Sequence, residues 1–223
     1  SGQAEVAPGV FLDSRLGLYH QHERWLAISD VHFGYEMSRR AAGGLWPLWG
    51  METIEERLNQ LVCGLSPDTL VLTGDVVDSA AAPEEAIAWL SRLSELGPEL
   101  ILIAGNHDRG QIRRHFEFVP WFRSGSFFFH HGHQFCFEEE TKGESGLIEI
   151  TGHQHPSIRY SDGAGTSLRL PSLAMESFTN HSRWVLPAFS PWAGGGAYRP
   201  SEKCSEFHQW ACGQFRVFEV FHP

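Results

Sequence analysis

Apolar residues along the chain fall into two kinds of pattern. Five short continuous runs, WLAIS at 25–29, TLVLT at 69–73, ELILIA at 99–104, SFFFH at 126–130 and LIEIT at 147–151, have the length and composition of buried strands. Between the first three the period lengthens. METIEERLNQLVCGL sets Met51, Ile54, Leu58, Leu61, Val62 and Leu65 on one helical stripe. PEEAIAWLSRLSELG opens on Pro83 followed by two glutamates and stops at Gly97, as a helix should. Strand, helix, strand, helix, strand predicts βαβ units and parallel pairing.

The N-terminal stretch VFLDSRLGLYHQHERWLAIS reads as a hairpin that feeds the first long strand, with Asp13 to Gly17 as its turn. The second half has shorter strands without long helices between them. It ends in GQFRVFEVF, where Phe215, Val217, Glu219 and Phe221 share a face, and this predicts a mixed or antiparallel second sheet. AGGGAYRP at 193–200 reads as an irregular loop. The fold class is therefore α/β, with two mixed β-sheets flanked by helices.

Composition narrows the function classes. A chain of 223 residues with 42% hydrophobic residues can bury one large core, so a single domain over residues 3–223 is expected, Ser1 and Gly2 being set aside as a cloning remnant. A net charge of −10 gives no support for a broad nucleic-acid or anionic-membrane face. No apolar run approaches the ~20 residues of a membrane span and no signal peptide opens the chain, which predicts a cytoplasmic protein. Cys63, Cys136, Cys204 and Cys212 are too scattered for a disulfide framework. CSEFHQWAC would put Cys204, His208 and Cys212 on one face of a helix, but a fourth zinc ligand is lacking nearby and ordinary thiols are the expectation.

The chemistry sits where the apolar runs end. Each is followed at once by potential metal ligands: DVHFG (Asp30, His32), GDVVD (Asp75, Asp78), GNHD (Asn106, His107, Asp108), HHGH (His130, His131, His133) and GHQH (His153, His155). Sites on open α/β sheets form outside the carboxyl ends of strands, so these loops can meet in one crevice. Carboxylate, imidazole and amide ligands without thiolate suit Mn²⁺ foremost, with Zn, Fe or Ni as alternatives. The number of ligands exceeds the positions around one ion and implies two divalent ions with one bridging carboxylate, for which Asp75 is best placed. Any one of these motifs is common in ordinary turns; their joint occurrence at successive strand ends is what carries weight.

In order and content the five motifs resemble the calcineurin-like metallophosphoesterase superfamily, over roughly residues 25–156. The resemblance implies a sandwich of two mixed sheets flanked by helices. It assigns one metal to Asp30, His32, Asp75 and His155, and the other to Asp75, Asn106, His131 and His153. It further implies His107 as the catalytic histidine, oriented by Asp78. The implied reaction is hydrolysis of a phosphomonoester or phosphodiester by direct attack of a hydroxide held between the ions. Strand alternation leaves His130 open as a replacement for His131, while the superfamily pattern favours the histidine before glycine. His133 and Arg109 are candidate substrate contacts, and Asp108 a cap for the helix RGQIRRHF.

The hairpin before DVHFG, GHQHP, RLP at 169–171 and VLPAFSPWAGG at 185–195 are similar to bacterial phosphoesterases associated with DNA-repair ligase and helicase genes. That narrower resemblance implies a nuclease linked to DNA repair. A small-molecule phosphatase or nucleotide phosphodiesterase, and a non-catalytic binding protein on the same fold, stand as alternatives. Arg39, Arg40, Arg109, Arg113 and Arg114 follow the motif loops and could face phosphate, although exposed helix surface is the blander expectation. Trp46, Trp49, Trp121 and Trp192 could stack on a base or simply pack.

Overall fold

The computed structural model describes residues 2–78, 83–134, 137–161 and 163–221. Its first sheet runs in chain order through β1 (Gln3–Ala7), β2 (Val10–Asp13), β3 (Leu18–His20), β4 (Trp25–Ile28), β5 (Thr69–Thr73) and β6 (Glu99–Ile103). β1 to β4 form an antiparallel meander, and β4, β5 and β6 are parallel, with Ile28 beside Leu72 and Leu72 beside Leu102. Between β4 and β5 lie α1 (Tyr35–Ala41) and α2 (Gly50–Leu65), and between β5 and β6 lies α3 (Pro83–Ser94). The expected βαβαβ run is present.

The second sheet takes β7 (Trp121–Ser124), β8 (Phe127–His130), β9 (Leu147–Thr151), β10 (Pro156–Ser161), β11 (Ser167–Ser177), β12 (His181–Val185) and β13 (Gly196–Ala197). Its order is β13-β10-β11-β12-β9-β8-β7, and β14 (Glu206–Cys212) joins it by pairing with β11 and with β15 (Val217–Val220). β8, β9 and β12 are mutually parallel while most other pairs are antiparallel, so both sheets are mixed. Short helices α4 (Ile112–His115) and α5 (Phe137–Thr141) decorate the connections.

Alternation along β4 explains the layering. All four of its residues are buried. Trp25 points into the second sheet, its ring 5.0 Å from Phe127 and 5.1 Å from Phe129. Leu26 faces the other way, against Leu61 of α2 beside Gly17. The helical stripes behave accordingly: Ile54, Leu58, Leu61 and Val62 of α2, and Ala86, Trp89, Leu90 and Leu93 of α3, are buried. Sheet packs on sheet, helices cover the outer face of the first sheet, and the strand ends are left open for chemistry.

Three local expectations need correction. CSEFHQWAC is not a helix: Glu206–Cys212 is β14, so Cys204, His208 and Cys212 share no helical face. His208 pairs instead with Glu219 at 2.6 Å and Glu206 at 3.1 Å, and Cys212 is buried. RGQIRRHF shortens to the four residues of α4. At the C-terminus only Val217–Val220 is strand, leaving Phe215 and Phe221 exposed. The 193–200 loop is irregular except for β13, and Cys136 lies outside the described residues. Among the described residues no helix is long and apolar enough to cross a membrane.

Candidate functional site

The loops leaving β4 and β5 run side by side. The amides of Asp30, His32 and Phe33 donate to the carbonyls of Gly74, Asp75 and Val76. Segment 188–190 locks on from the second sheet, with the amides of Phe189 and Ser190 donating to the carbonyls of Ser29 and Asp30. Asp30, His32, Asp75, His153 and His155 all adopt left-handed backbone, with φ between 46° and 69°. Such conformations cost of order 1 kcal/mol or more for residues with a Cβ and persist only where surroundings dictate them. Here they aim five side chains into one crevice.

Among the described residues three groups of potential ligand atoms result, one of them His32, Asp78 and His107; the other two flank Asp75. Asp30, His32 and His155 have ligand atoms within 4.8 Å of one another, and so do Asp75, His131 and His153. Within the first, His155 Nε2 is 3.1 Å from Asp30 Oδ1. The other oxygen of Asp30 is held by the Ser29 hydroxyl at 2.8 Å and the His153 amide at 3.0 Å. Within the second, His131 Nε2 is 3.2 Å from Asp75 Oδ2 and 3.2 Å from Asn106 Oδ1. Asp75 Oδ2 is also 3.9 Å from His32 Nε2, so one carboxylate stands between the clusters. Its Oδ1 accepts the His107 amide at 2.8 Å.

The donor set fits cations. His131 Nδ1 lies 3.1 Å from the Thr73 carbonyl, which can only accept, so that nitrogen carries the proton. Nε2 is then a bare lone pair facing two oxygens that are also acceptors. Such convergence is repulsive until a proton or a metal ion enters it. Burial acts to lower the His131 pKa, but the facing Asp75 carboxylate outweighs it and the net shift is upward. Asp75 shifts down: burial would raise it, and His131 and the His107 amide outweigh that. Among the described residues His32 Nδ1 is buried with no hydrogen-bond partner, and Asp78 Oδ1 lies 3.6 Å from it.

His131 points into the crevice; His130 points away, with its Nε2 2.9 Å from Glu149 behind the sheet. His107 is exposed, as is His153, and the His107 Nδ1 lies 3.0 Å from Asp78 Oδ1. Burial alone would raise Asp78, but His32 and His107 hold it below the ordinary carboxylate value. His133 packs beside the second cluster, with ring centroids 5.2 Å from His131 and 6.1 Å from His153. Arg109 donates to the Asn106 carbonyl at 2.9 Å and lines none of the described cavities. Asp108 does not cap α4, whose N-terminus has no side-chain cap. It is buried and accepts the amides of Val77 and Gly105, tying the β5 and β6 loops together, and burial lifts its pKa to about 6.

A cleft of about 240 Å³ opens over His32, Asp78, His107 and His155, walled by Tyr35, Arg39 and Trp192. Trp192 is fixed by donating from Nε1 to Glu36 at 3.0 Å, and it packs on Trp46 and Trp49 at 5.1 and 4.4 Å. Arg39 lies over the Tyr35 ring at 4.7 Å. Of the five motif arginines, Arg39 reaches the cleft; Arg40 binds the Trp46 carbonyl and Arg113 covers Phe118. Trp121 packs on Phe128, away from the cleft. Ser29, which braces Asp30, was not singled out from sequence, and its position directly before DVHFG was the available signal.

The calcineurin-like phosphoesterase profile matches residues 24–184. Among solved structures, the Pseudomonas putida nuclease MPE superposes with a TM-score of 0.68 at 22% identity, covering 98% of both chains. The E. coli phosphoesterase Yfce superposes with a TM-score of 0.51 at 18% identity, over 88% of this chain and 97% of that one. The cAMP/cGMP dual specificity phosphodiesterase MT0825 of Mycobacterium tuberculosis is 34% identical over 98 residues, which is 40% of this chain and 28% of that protein. The match thus spans less than a third of that relative's length.

Proposed function

Because the chain belongs to the calcineurin-like phosphoesterase family of metal-dependent hydrolases, we propose that it is a phosphodiesterase acting on nucleotide-containing substrates, with single-stranded nucleic acid foremost. The observation that carries the proposal is the position of the Asp75 carboxylate between two clusters of converging carboxylate and imidazole atoms. Asp30, His32, Asp75 and His155 would hold one divalent ion, and Asp75, Asn106, His131 and His153 the other. Two such ions supply Lewis acidity toward the phosphate oxygens and a water nucleophilic at neutral pH, with Mn²⁺ the expected metal.

The remaining work falls to the chain's own residues. His107 turns Nδ1 to the Asp78 carboxylate at 3.0 Å, so Nε2 is the atom left to carry a proton to the leaving oxygen or to hydrogen-bond a phosphoryl oxygen. Asp78 holds the ring in that orientation. Tyr35 and Trp192 offer aromatic surface beside the reacting phosphate, and Arg39 adds a guanidinium for its charge. Stacking tolerates any base, which suits a nucleic-acid strand more than a phosphoprotein. The P. putida neighbour's description as a nuclease agrees with this reading. The description of the partly matching mycobacterial protein supplies a second reading, hydrolysis of cyclic nucleotides.

The test is Mn²⁺-supported hydrolysis of bis(p-nitrophenyl) phosphate, a single-stranded oligodeoxynucleotide and cyclic AMP. Asp75→Asn and His107→Ala should each lower turnover at least a hundredfold, and Asp75→Asn should also lower bound metal measured by elemental analysis. Full turnover in both variants refutes the assignment, and turnover of cyclic AMP alone moves the substrate to the second reading.

A further inference from the structure

Next to the cleft lies a second cavity of about 300 Å³, reached past His155, Ser190, Ala193 and Gly194, which line both. We propose that this cavity, framed by Arg57 and Arg169, is a subsite for a second phosphate of the substrate, one nucleotide away from the scissile group. The proposal rests on the phosphodiesterase reading and specifies which substrates that site prefers.

Two arginines from distant parts of the chain meet here. Arg57 comes from the middle of α2, where its NH1 donates to the Phe189 carbonyl at 2.9 Å and its guanidinium lies 5.1 Å from the Phe189 ring centre. Arg169 comes from β11 and donates to the carbonyls of Gly194 and Gly195, the loop that walls the cavity. Among the described residues neither has a carboxylate partner. Arg15, Arg24, Arg92, Arg123 and Arg183 each pair with an acid, and Arg57 and Arg169 are the two arginines without one that line this cavity.

The surroundings add to this. In a chain of net charge −10, no acidic residue lines the cavity. Burial pushes the Arg57 pKa down with no acidic neighbour to offset it, yet a guanidinium stays charged at any working pH. A partly buried, unpaired cation is costly, and an anion that enters recovers the cost. Guanidinium donors match phosphate oxygens in pairs, and the Ser157 and Ser190 hydroxyls add neutral donors.

The two cavities adjoin along His155, Ser190, Ala193 and Gly194, so one extended substrate can occupy both. With the scissile diester of a strand in the cleft, the next phosphate of that strand is the occupant assigned to the neighbouring cavity, and a dinucleoside pyrophosphate is the competing source that the experiment separates.

The experiment compares the dinucleotide TpT with the same dinucleotide carrying an additional 5′- or 3′-phosphate, using the Mn²⁺-loaded enzyme. The wild type should favour one of the phosphorylated forms by about tenfold in kcat/KM. Arg57→Gln and Arg169→Gln should each bring that ratio near one, while Arg57→Lys should retain part of it. Calorimetric titration of metal-free protein, confirmed as folded by its melting curve, should show the same preference without turnover. A ratio that survives both glutamine variants, or a wild type with no preference, overturns the subsite. Selective loss of a dinucleoside pyrophosphate in Arg57→Gln, with the strand ratio intact, refutes the strand assignment. Absence of all phosphodiester hydrolysis in the wild type refutes the underlying enzyme reading, and the titration still decides whether the cavity binds phosphate.

Discussion

Gly152→Ala should cripple the protein through one contact. The glycine precedes His153, and its φ lies outside the left-handed region, so alanine meets no backbone penalty. All of the cost comes from what the new methyl would touch. It would overlap Ser29 Oγ, sit 2.9 Å from Ser29 Cβ and 2.6 Å from Asp30 Oδ2. Ser29 is fully buried, and its hydroxyl lies 2.8 Å from both Asp30 Oδ2 and the Thr73 carbonyl. To make room it must give up those partners, at about 1–3 kcal/mol for the orphaned groups. Overpacking adds about 1–3 kcal/mol.

A loss of about 3 kcal/mol lowers the melting temperature of a domain this size by about 6–12 °C. The measurement is a double-mutant cycle in urea and in thermal melts. Ser29→Ala removes the oxygen that collides first, so Gly152→Ala made on that background should cost at least 1 kcal/mol less than on the wild type. Strict additivity of the two changes, or a Gly152→Ala protein that melts with the wild type, would refute the packing argument.

Asp78→Asn keeps the shape of the His107 partner but removes its charge. A charge-assisted hydrogen bond contributes about 1.5–3 kcal/mol, so kcat should fall by roughly 10- to 150-fold with KM nearly constant, in steady-state assays on bis(p-nitrophenyl) phosphate. Behind the second sheet, Glu149 is buried between His130 at 2.9 Å and Arg183 at 2.7 Å. Burial acts to raise its pKa, but His130 and Arg183 hold it below the ordinary carboxylate value. Its ionised form therefore stabilises the fold above the unfolded-state value near 4.3, and this contribution is lost as pH falls through the lower folded-state value. Glu149→Gln should cost about 3 kcal/mol at neutral pH and flatten the acid limb of urea midpoint against pH.

The strands that carry the chemistry were legible because each is a short, mostly apolar run whose final residues are buried, and the candidate ligands stand at their ends. That alternation sends His131 inward and His130 toward Glu149 follows from strand geometry, once the end of β8 at His130 is known. Other features carried no usable pattern. α1, YEMSRRA, has no apolar stripe because its role is to present Tyr35 and Arg39 at the cleft while Glu36 braces Trp192. Asp108 looked like a helix cap because Asp before a polar-apolar run usually is one. Its actual partners, Val77 and Gly105, are set by how two loops pack. CSEFHQWAC offers ligands at both helical and strand spacings, and pairing with β11 and β15 decides for strand. Arg57 in the middle of α2 has the local appearance of ordinary helix surface, and only the approach of residues 188–190 from the second sheet encloses it.

Each ligand cluster draws on both halves of the sandwich. Asp30 and His32 come from the first sheet and His155 from the second; Asp75 comes from the first, and His131 and His153 from the second. On the proposed assignment neither half alone would form a complete coordination set, so ion affinity would gauge the docking between the sheets. Slippage of one sheet against the other would release both ions together, and a bound pair would act as a clasp whose strength is read in the rate at which the sandwich opens.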